Sequence, residues 1–193
     1  MINFQKAVDE LRACGIYPIA ADSITFRIPN AREQLWHGLQ HFTGGHARWL
    51  PAYEKIAAYL TDNQGRGLLL QGPCGVGKSL ICWNILPILM CEYCNLMVEP
   101  FSAHDINRHI DRALKRAIVT IDDVGVEAEA VSYGNRRQAF TELVDNAERK
   151  GHLLFCTTNL NERQLAEKYG ERTMDRLVAI TTRVKIEGES MRG

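Results

Sequence analysis

The chain has 193 residues, with 23 Lys+Arg against 23 Asp+Glu and a formal net charge of zero. That length suits one α/β domain with a real core plus a small appendage. The zero balance excludes a globally basic nucleic-acid binder and leaves room only for a local basic face. The opening MINFQKAVDELRACG has no apolar stretch of the signal-peptide kind. The longest apolar run, LICWNILPILMC (residues 80–91), is too short to span a bilayer and contains Asn84 and Pro87, so no membrane partner is expected. Six irregularly spaced cysteines without an export signal point to free thiols in a reducing cytoplasm.

In chain order, residues 1–64 read as a helical, aromatic-bearing lead-in, and residues 65–193 as the main domain. Phe4, Ala7, Val8 and Leu11 recur at helical spacing over residues 4–15, and Gly15 ends the pattern. His37 and His41 in HGLQH read as a helix face, since no third metal ligand is evident. Residues 49–63 form a second helical pattern, with Pro51 suited to its first turn. From Arg66 onward strands and helices alternate. RGLLLQ is a continuously apolar strand, as expected when both faces are covered. The 80–91 run reads as a buried helix kinked at Pro87, which lacks a backbone donor. Cys91 and Cys94 have no second pair at metal spacing and read as small buried side chains. Residues 95–101 then read as a strand, 102–117 as a helix and 117–125 as a third strand. Residues 132–151 read as a helix with Phe140, Leu143, Val144 and Ala147 on one face and Gly151 as its stop. Residues 152–159 read as a fourth strand and 179–188 as a fifth. Such alternation predicts a parallel sheet with helices on both faces.

The segment GPCGVGKS, from Gly72 through Pro73, Cys74, Gly75, Val76, Gly77 and Lys78 to Ser79, satisfies G-x-x-x-x-G-K-[ST], and Leu80 follows it into the helix. Glycines let the backbone curl so that several N–H groups face one point, and the helix adds its positive end. Lys78 would reach the β/γ-phosphates of a nucleoside triphosphate, and Ser79 would ligate Mg²⁺. About forty residues on, the apolar strand IVTIDDV ends in two acids. Asp122 would hold Mg²⁺ at the carboxyl end of that strand. The fourth strand ends CTTN, and in such a sheet that end lies between the first and third strands. Asn159 can there orient a water against the γ-phosphate, with Thr157 and Thr158 as weaker candidates. In EKYGERTMDRL, Arg172 and Arg176 are four apart and fit one helix face. They read either as surface salt bridges with Glu171 or Asp175, or as arginines offered to a neighbouring subunit's nucleotide.

Taken in this order, GPCGVGKS, IDDVG, TTNL and YGERTMDRL resemble the AAA+ ATPases of the DnaC/DnaI/IstB type, bacterial and phage helicase loaders and transposition helper ATPases. The resemblance covers residues 65–192. It implies a P-loop NTPase three-layer sandwich with a five-stranded parallel sheet, binding ATP and Mg²⁺. It implies that residues 72–80 hold the nucleotide and that Ser79 and Asp122 hold the metal. Asp123 stands where the AAA+ class places a catalytic glutamate; being one methylene shorter, it implies slow or partner-dependent hydrolysis. Asn159 takes the place called sensor 1, Arg176 that of a finger acting across a subunit interface, and Arg172 an accessory place. An ATP-bridged oligomer acting on a replicative helicase is implied, or on a recombinase if the chain is IstB-like. Two departures stand out. The family's helical lid has no room after Gly188, which leaves Arg183 and Arg192 as substitutes for its sensor arginine. Residues 1–64 match no known helicase-binding domain. Arg108, Arg112, Lys115 and Arg116 offer a basic face for single-stranded DNA, diluted by Asp105 and Asp111. A small P-loop kinase is disfavoured for want of an arginine-rich lid, and a nucleotide-dependent binding module with little turnover stays open.

Overall fold

The computed structural model describes residues 2–15, 23–127, 130–132, 135–188 and 190. Three helices come first: α1 (Phe4–Ala13), α2 (Ala31–Phe42) and α3 (Pro51–Thr61), with Pro51 in the first turn of α3 as expected. Strand β1 (Gly67–Gln71) is buried along its whole length. A helix then runs through Leu80–Ile85 and continues as α4 (Leu86–Cys94). Next come β2 (Glu99–Ser102), α5 (Ile106–Ala113) and β3 (Ile118–Asp122). A hairpin of β4 (Ala130–Ser132) and β5 (Asn135–Arg137) precedes α6 (Ala139–Lys150). The chain closes with β6 (Leu153–Thr158), α7 (Glu162–Tyr169), α8 (Glu171–Ile180) and β7 (Thr181–Lys185).

Five strands form one parallel sheet in the order β2-β3-β6-β1-β7. The expected five-stranded parallel sheet with helices on both faces is therefore present. Alternation along β1 divides the core in two. Leu68 and Leu70 face a cluster that includes Phe26, Leu35, Leu39, Tyr53, Ile56, Leu60 and Ile81. Leu69 faces the opposite cluster, with Ile106, Ile110, Phe140, Val144, Cys156 and Leu177. The first cluster crosses the boundary drawn at residue 64 from the sequence: residues from Phe26 to Leu60 pack directly under β1. Arg66, just before β1, donates to Val178 O at 2.6 Å and Thr181 O at 2.5 Å, so its guanidinium caps the C-terminal end of α8. No helix among the described residues is long and apolar enough to cross a membrane.

The strand expected over 95–101 runs over Glu99–Ser102, and Cys91, expected buried, is exposed; four further elements differ from the sequence reading. The helix expected over 132–151 begins only at Ala139, because the residues before it turn back as the β4–β5 hairpin. The helix expected over 102–117 is confined to Ile106–Ala113, since Ser102 pairs with Asp122 as the last rung of β2. The fifth strand starts at Thr181, where α8 ends. Ahead of Pro87, where a kink is expected, the helix winds more widely. Leu80–Ile85 is π-helical, and the Leu86 N–H donates five residues back to Ile81 O. Pro87, next in that register, has no N–H. The Cys82 carbonyl is met instead by the Thr120 hydroxyl of β3 at 3.1 Å.

Candidate nucleotide-binding site

The loop between β1 and the π-helical segment is built from glycine conformations. Gly75 and Gly77 have φ of 84° and 79°, left-handed values that a side chain resists. Val76 between them is fully buried, and its carbonyl accepts the Tyr53 hydroxyl at 3.0 Å. Burial pushes the Tyr53 phenol up to about 12, so it remains a donor. Helix α3 thereby pins the crest of the loop. Tyr53 is itself packed edge-on against Trp49, which Arg32 covers at 4.7 Å.

Lys78 is only 5 % exposed. Its ammonium donates to Gly72 O at 2.9 Å, Pro73 O at 2.7 Å and Asn159 Oδ1 at 2.8 Å. The last contact joins the loop to the end of β6. It follows from the sheet order, because β6 lies between β1 and β3 and pairs Gln71 with Thr158. Gln71 Nε2 also donates to Leu160 O at 2.6 Å, which fastens the chain on the far side of Asn159.

Asp122 ends β3, half-buried, one strand further along. The Thr157 hydroxyl donates to Asp122 Oδ1 at 2.5 Å and accepts the Asp123 N–H at 2.8 Å. Thr158 donates to Val124 O at 2.7 Å. Both threonines are fully buried. They hold the acidic turn in place, a role absent from the sequence reading. Asp123 has φ of 57°, a left-handed value uncommon outside glycine and better tolerated by aspartate than by most residues. Thr120 shares the face of β3 that carries Asp122, and its bond to Cys82 seats that face against the helix that Ser79 opens. The hydroxyl of Ser79 and the carboxylate of Asp122 are oxygen donors of the kind that hard divalent cations prefer, so this pair fits Mg²⁺.

A cleft of about 1030 Å³ runs beside the loop, at the upper end of the ~300–1,000 Å³ usual for ligand sites. Its walls join Gly75, Gly77, Lys78, Ser79 and Leu80 to Phe42, His46, Arg48 and Leu50 from the α2–α3 connection, and to Trp83 and Asn84. The sequence reading had no signal for the contribution of residues 42–50, which depends on α2 and α3 being folded into the core.

The two arginines of α8 lie elsewhere. Arg172 is exposed. Arg176, 25 % exposed, forms a short ion pair with Asp145 and a second with Glu148 at 2.9 Å, both on α6. These partners differ from the Glu171 or Asp175 expected locally, because α8 packs across α6. Arg183 pairs with Glu162 of α7. Arg192 lies outside the described residues.

No protein-family model and no curated protein matches the chain. Solved structures do. The crystal structure of the DnaC helicase loader superposes with a TM-score of 0.54 at 16% identity, covering 84% of this chain and 93% of that one. The chain has the fold of the DnaC helicase loader. DnaI matches with a TM-score of 0.54 at 19% identity, covering 84% of this chain and 85% of DnaI. AMPPCP-bound DnaA from Aquifex aeolicus matches at 0.53 and 19% identity, over 72% of this chain and 46% of DnaA. The AAA+ fold expected from the motifs is thus present.

Proposed function

We propose that the chain binds ATP with Mg²⁺ and hydrolyses it slowly, as a DNA-replication accessory factor of the helicase-loader kind. The observation that carries this reading is the convergence of three strand ends. The phosphate loop after β1, the acids after β3 and Asn159 after β6 meet through the Lys78–Asn159 and Thr157–Asp122 contacts. The likeness in fold to the DnaC helicase loader supports the replication side of the reading.

In this reading the backbone N–H groups of Gly75–Ser79 cradle the phosphates at a helix N-terminus. Lys78 exchanges neutral carbonyl partners for charged β/γ-phosphate oxygens. Mg²⁺ held by Ser79 and Asp122 supplies charge neutralisation on the transferred phosphoryl group. Asn159 orients the attacking water, and Asp123 accepts its proton. The α2–α3 connection encloses the rest of the nucleotide. Arg176, with Arg172 beside it, acts on a neighbouring subunit's phosphate in an ATP-bridged oligomer. A replicative helicase is the partner in the loader reading, and a recombinase in the IstB-like alternative.

The Asp123→Asn variant tests the catalytic half. It should bind ATP as the parent does and lose about 10²–10⁴-fold in turnover, since the amide cannot take a proton. Turnover at the parent rate would remove Asp123 from the base role.

Single-stranded DNA is the second part of the proposal. Arg112 and Arg116 both pair with Glu99 of β2, and Arg108 lies 3.8 Å from Asp105. One carboxylate, Glu99, serves both arginines, so part of the positive charge on and just after α5 is already neutralised. Binding should be weak, dependent on ATP-driven alignment of several subunits, and steeply salt-sensitive. Fluorescence anisotropy across a salt series decides, and affinity indifferent to both salt and nucleotide would sink DNA as a partner.

A further inference from the structure

The turn that follows Asp122 and Asp123 is closed by a carboxylate that the ATPase reading does not use. Glu127 is 9 % exposed. Its Oε2 accepts the Gly125 N–H at 2.8 Å, and its Oε1 accepts the Tyr169 hydroxyl in a short hydrogen bond. Lys168 completes the enclosure, donating to Gly125 O at 2.6 Å and Glu127 O at 3.0 Å. Two consecutive side chains at the end of α7 thus hold the turn, one by its backbone oxygens and one by its buried carboxylate.

The anchor is stiff. Tyr169 is 7 % exposed and packs against the Phe140 ring of α6 at 4.7 Å between centroids. Burial first, and then its bond to Glu127, pushes the Tyr169 phenol well above its ordinary value, so it stays protonated and a donor. From this anchor the restraint reaches Asp123 in one step, because the Val126 N–H donates to Asp123 O at 3.2 Å. On the other side the Thr157 hydroxyl holds the Asp123 N–H. The left-handed backbone of Asp123 is therefore gripped from β6 and from α7 together.

We propose that Glu127 is a positioning residue for Asp123: with Lys168 and Tyr169 it holds the acidic turn so that the Asp123 carboxylate faces the attacking water. The geometry gives the carboxylate of Glu127 no role at the nucleotide itself. Its effect falls on the aim of a short side chain that has one methylene fewer than glutamate to correct an error. This rests on the reading of the site as an ATPase centre.

The test uses the full chain and Mg·ATP. Glu127→Ala should keep nucleotide affinity within about threefold of the parent while turnover falls about 10- to 100-fold, as ångström-scale misplacement of a reacting group does. Glu127→Gln keeps an acceptor oxygen for one of the two bonds and should fall between parent and Glu127→Ala. Tyr169→Phe removes a single hydroxyl and should lower turnover in the same direction, which keeps the test open if Glu127→Ala does not fold. Hydrogen exchange gives a readout independent of turnover: residues 123–127 should exchange faster in Glu127→Ala while β1 does not. Turnover within about twofold of the parent overturns the proposal, and so does a parallel fall in affinity, turnover and melting temperature. A parent that binds ATP yet never hydrolyses it overturns the ATPase reading. Exchange in 123–127 then decides the clamp alone, and unchanged rates there refute it.

Discussion

Lys78→Ala is expected to lose tight ATP binding. The substitution removes the loop's one side-chain cation, and a hydrogen bond to a charged partner contributes about 1.5–3 kcal/mol. Two such bonds to phosphate oxygens amount to roughly a hundredfold or more in affinity, at 1.4 kcal/mol per factor of ten. The lysine also has a structural side. Its ammonium joins Gly72 O and Pro73 O to Asn159, so the variant loosens the loop as well as removing charge. Lys78→Met loses the same ammonium bonds but keeps the buried stem within the loop, so comparison with Lys78→Ala isolates the packing of the stem. Fluorescent-nucleotide titration of both variants, with melting curves alongside, gives the answer. The ATP reading predicts that both bind poorly while Lys78→Met keeps more of the parent's melting temperature. Unchanged affinity in both would remove the phosphate-loop reading altogether.

Arg176→Ala is expected to bind ATP normally and lose turnover by roughly 10³–10⁵, the contribution of an arginine finger where its interface forms. A finger acts on charge that develops only in the transition state, so the ground-state complex is spared. The ion pairs of Arg176 with Asp145 and Glu148 bear on this directly. They hold the guanidinium on α6 of its own subunit, away from the Lys78 and Asn159 contacts. Such half-exposed pairs contribute little to stability, so the loss of turnover should come without a matching loss of fold. Mixing sharpens the experiment. An Arg176→Ala subunit keeps a sound phosphate loop, and a Lys78→Ala subunit keeps a sound finger. Together they should recover part of the activity that each lacks alone. Mixtures that stay inactive, beside a parent whose specific activity ignores protein concentration, would mean that the site is completed within one subunit.

The parts of the site that could be read from the sequence are those written in backbone chemistry. GPCGVGKS announces itself through Gly72, Gly77, Lys78 and Ser79, and Gly77 takes a left-handed value there. The acids after IVTI and the asparagine after LLFCTT stand out because each ends a continuous apolar strand, and the sheet order brings those strand ends together. What was illegible depends on tertiary packing. Thr157 reads as a lesser companion of Asn159, and its bond to Asp122 emerges only once β3 and β6 are paired. Glu127 belongs to no motif, and its place emerges only when Tyr169, 42 residues away, meets it. Residues 42–50 carry no motif, and they line the cleft only because Leu35, Leu39 and Ile56 draw α2 and α3 into the core. The β4–β5 hairpin was misread as the start of α6, since the polar run YGNRRQ carries no clear period in either direction. Arg176 shows the same limit: Glu171 and Asp175 are its near neighbours in sequence, and its partners Asp145 and Glu148 lie on another helix.

The bond from Thr120 to Cys82 makes two distant positions a single decision. With proline at 87 the Cys82 carbonyl has no helical donor in the register that Leu86 sets, and the Thr120 hydroxyl supplies one from another strand. Replacing Thr120 alone by valine strands a buried acceptor, and replacing Pro87 alone by alanine brings a second donor to an oxygen already served. Changing both restores one donor to one acceptor. A carbonyl accepts two hydrogen bonds, so the benefit runs one way: the two substitutions should be non-additive, with the loss of the Thr120 hydroxyl costing less once Pro87 is replaced. A homologous chain that has abandoned the proline is free to abandon the threonine, and drift at these two sites should run in step although 33 residues separate them.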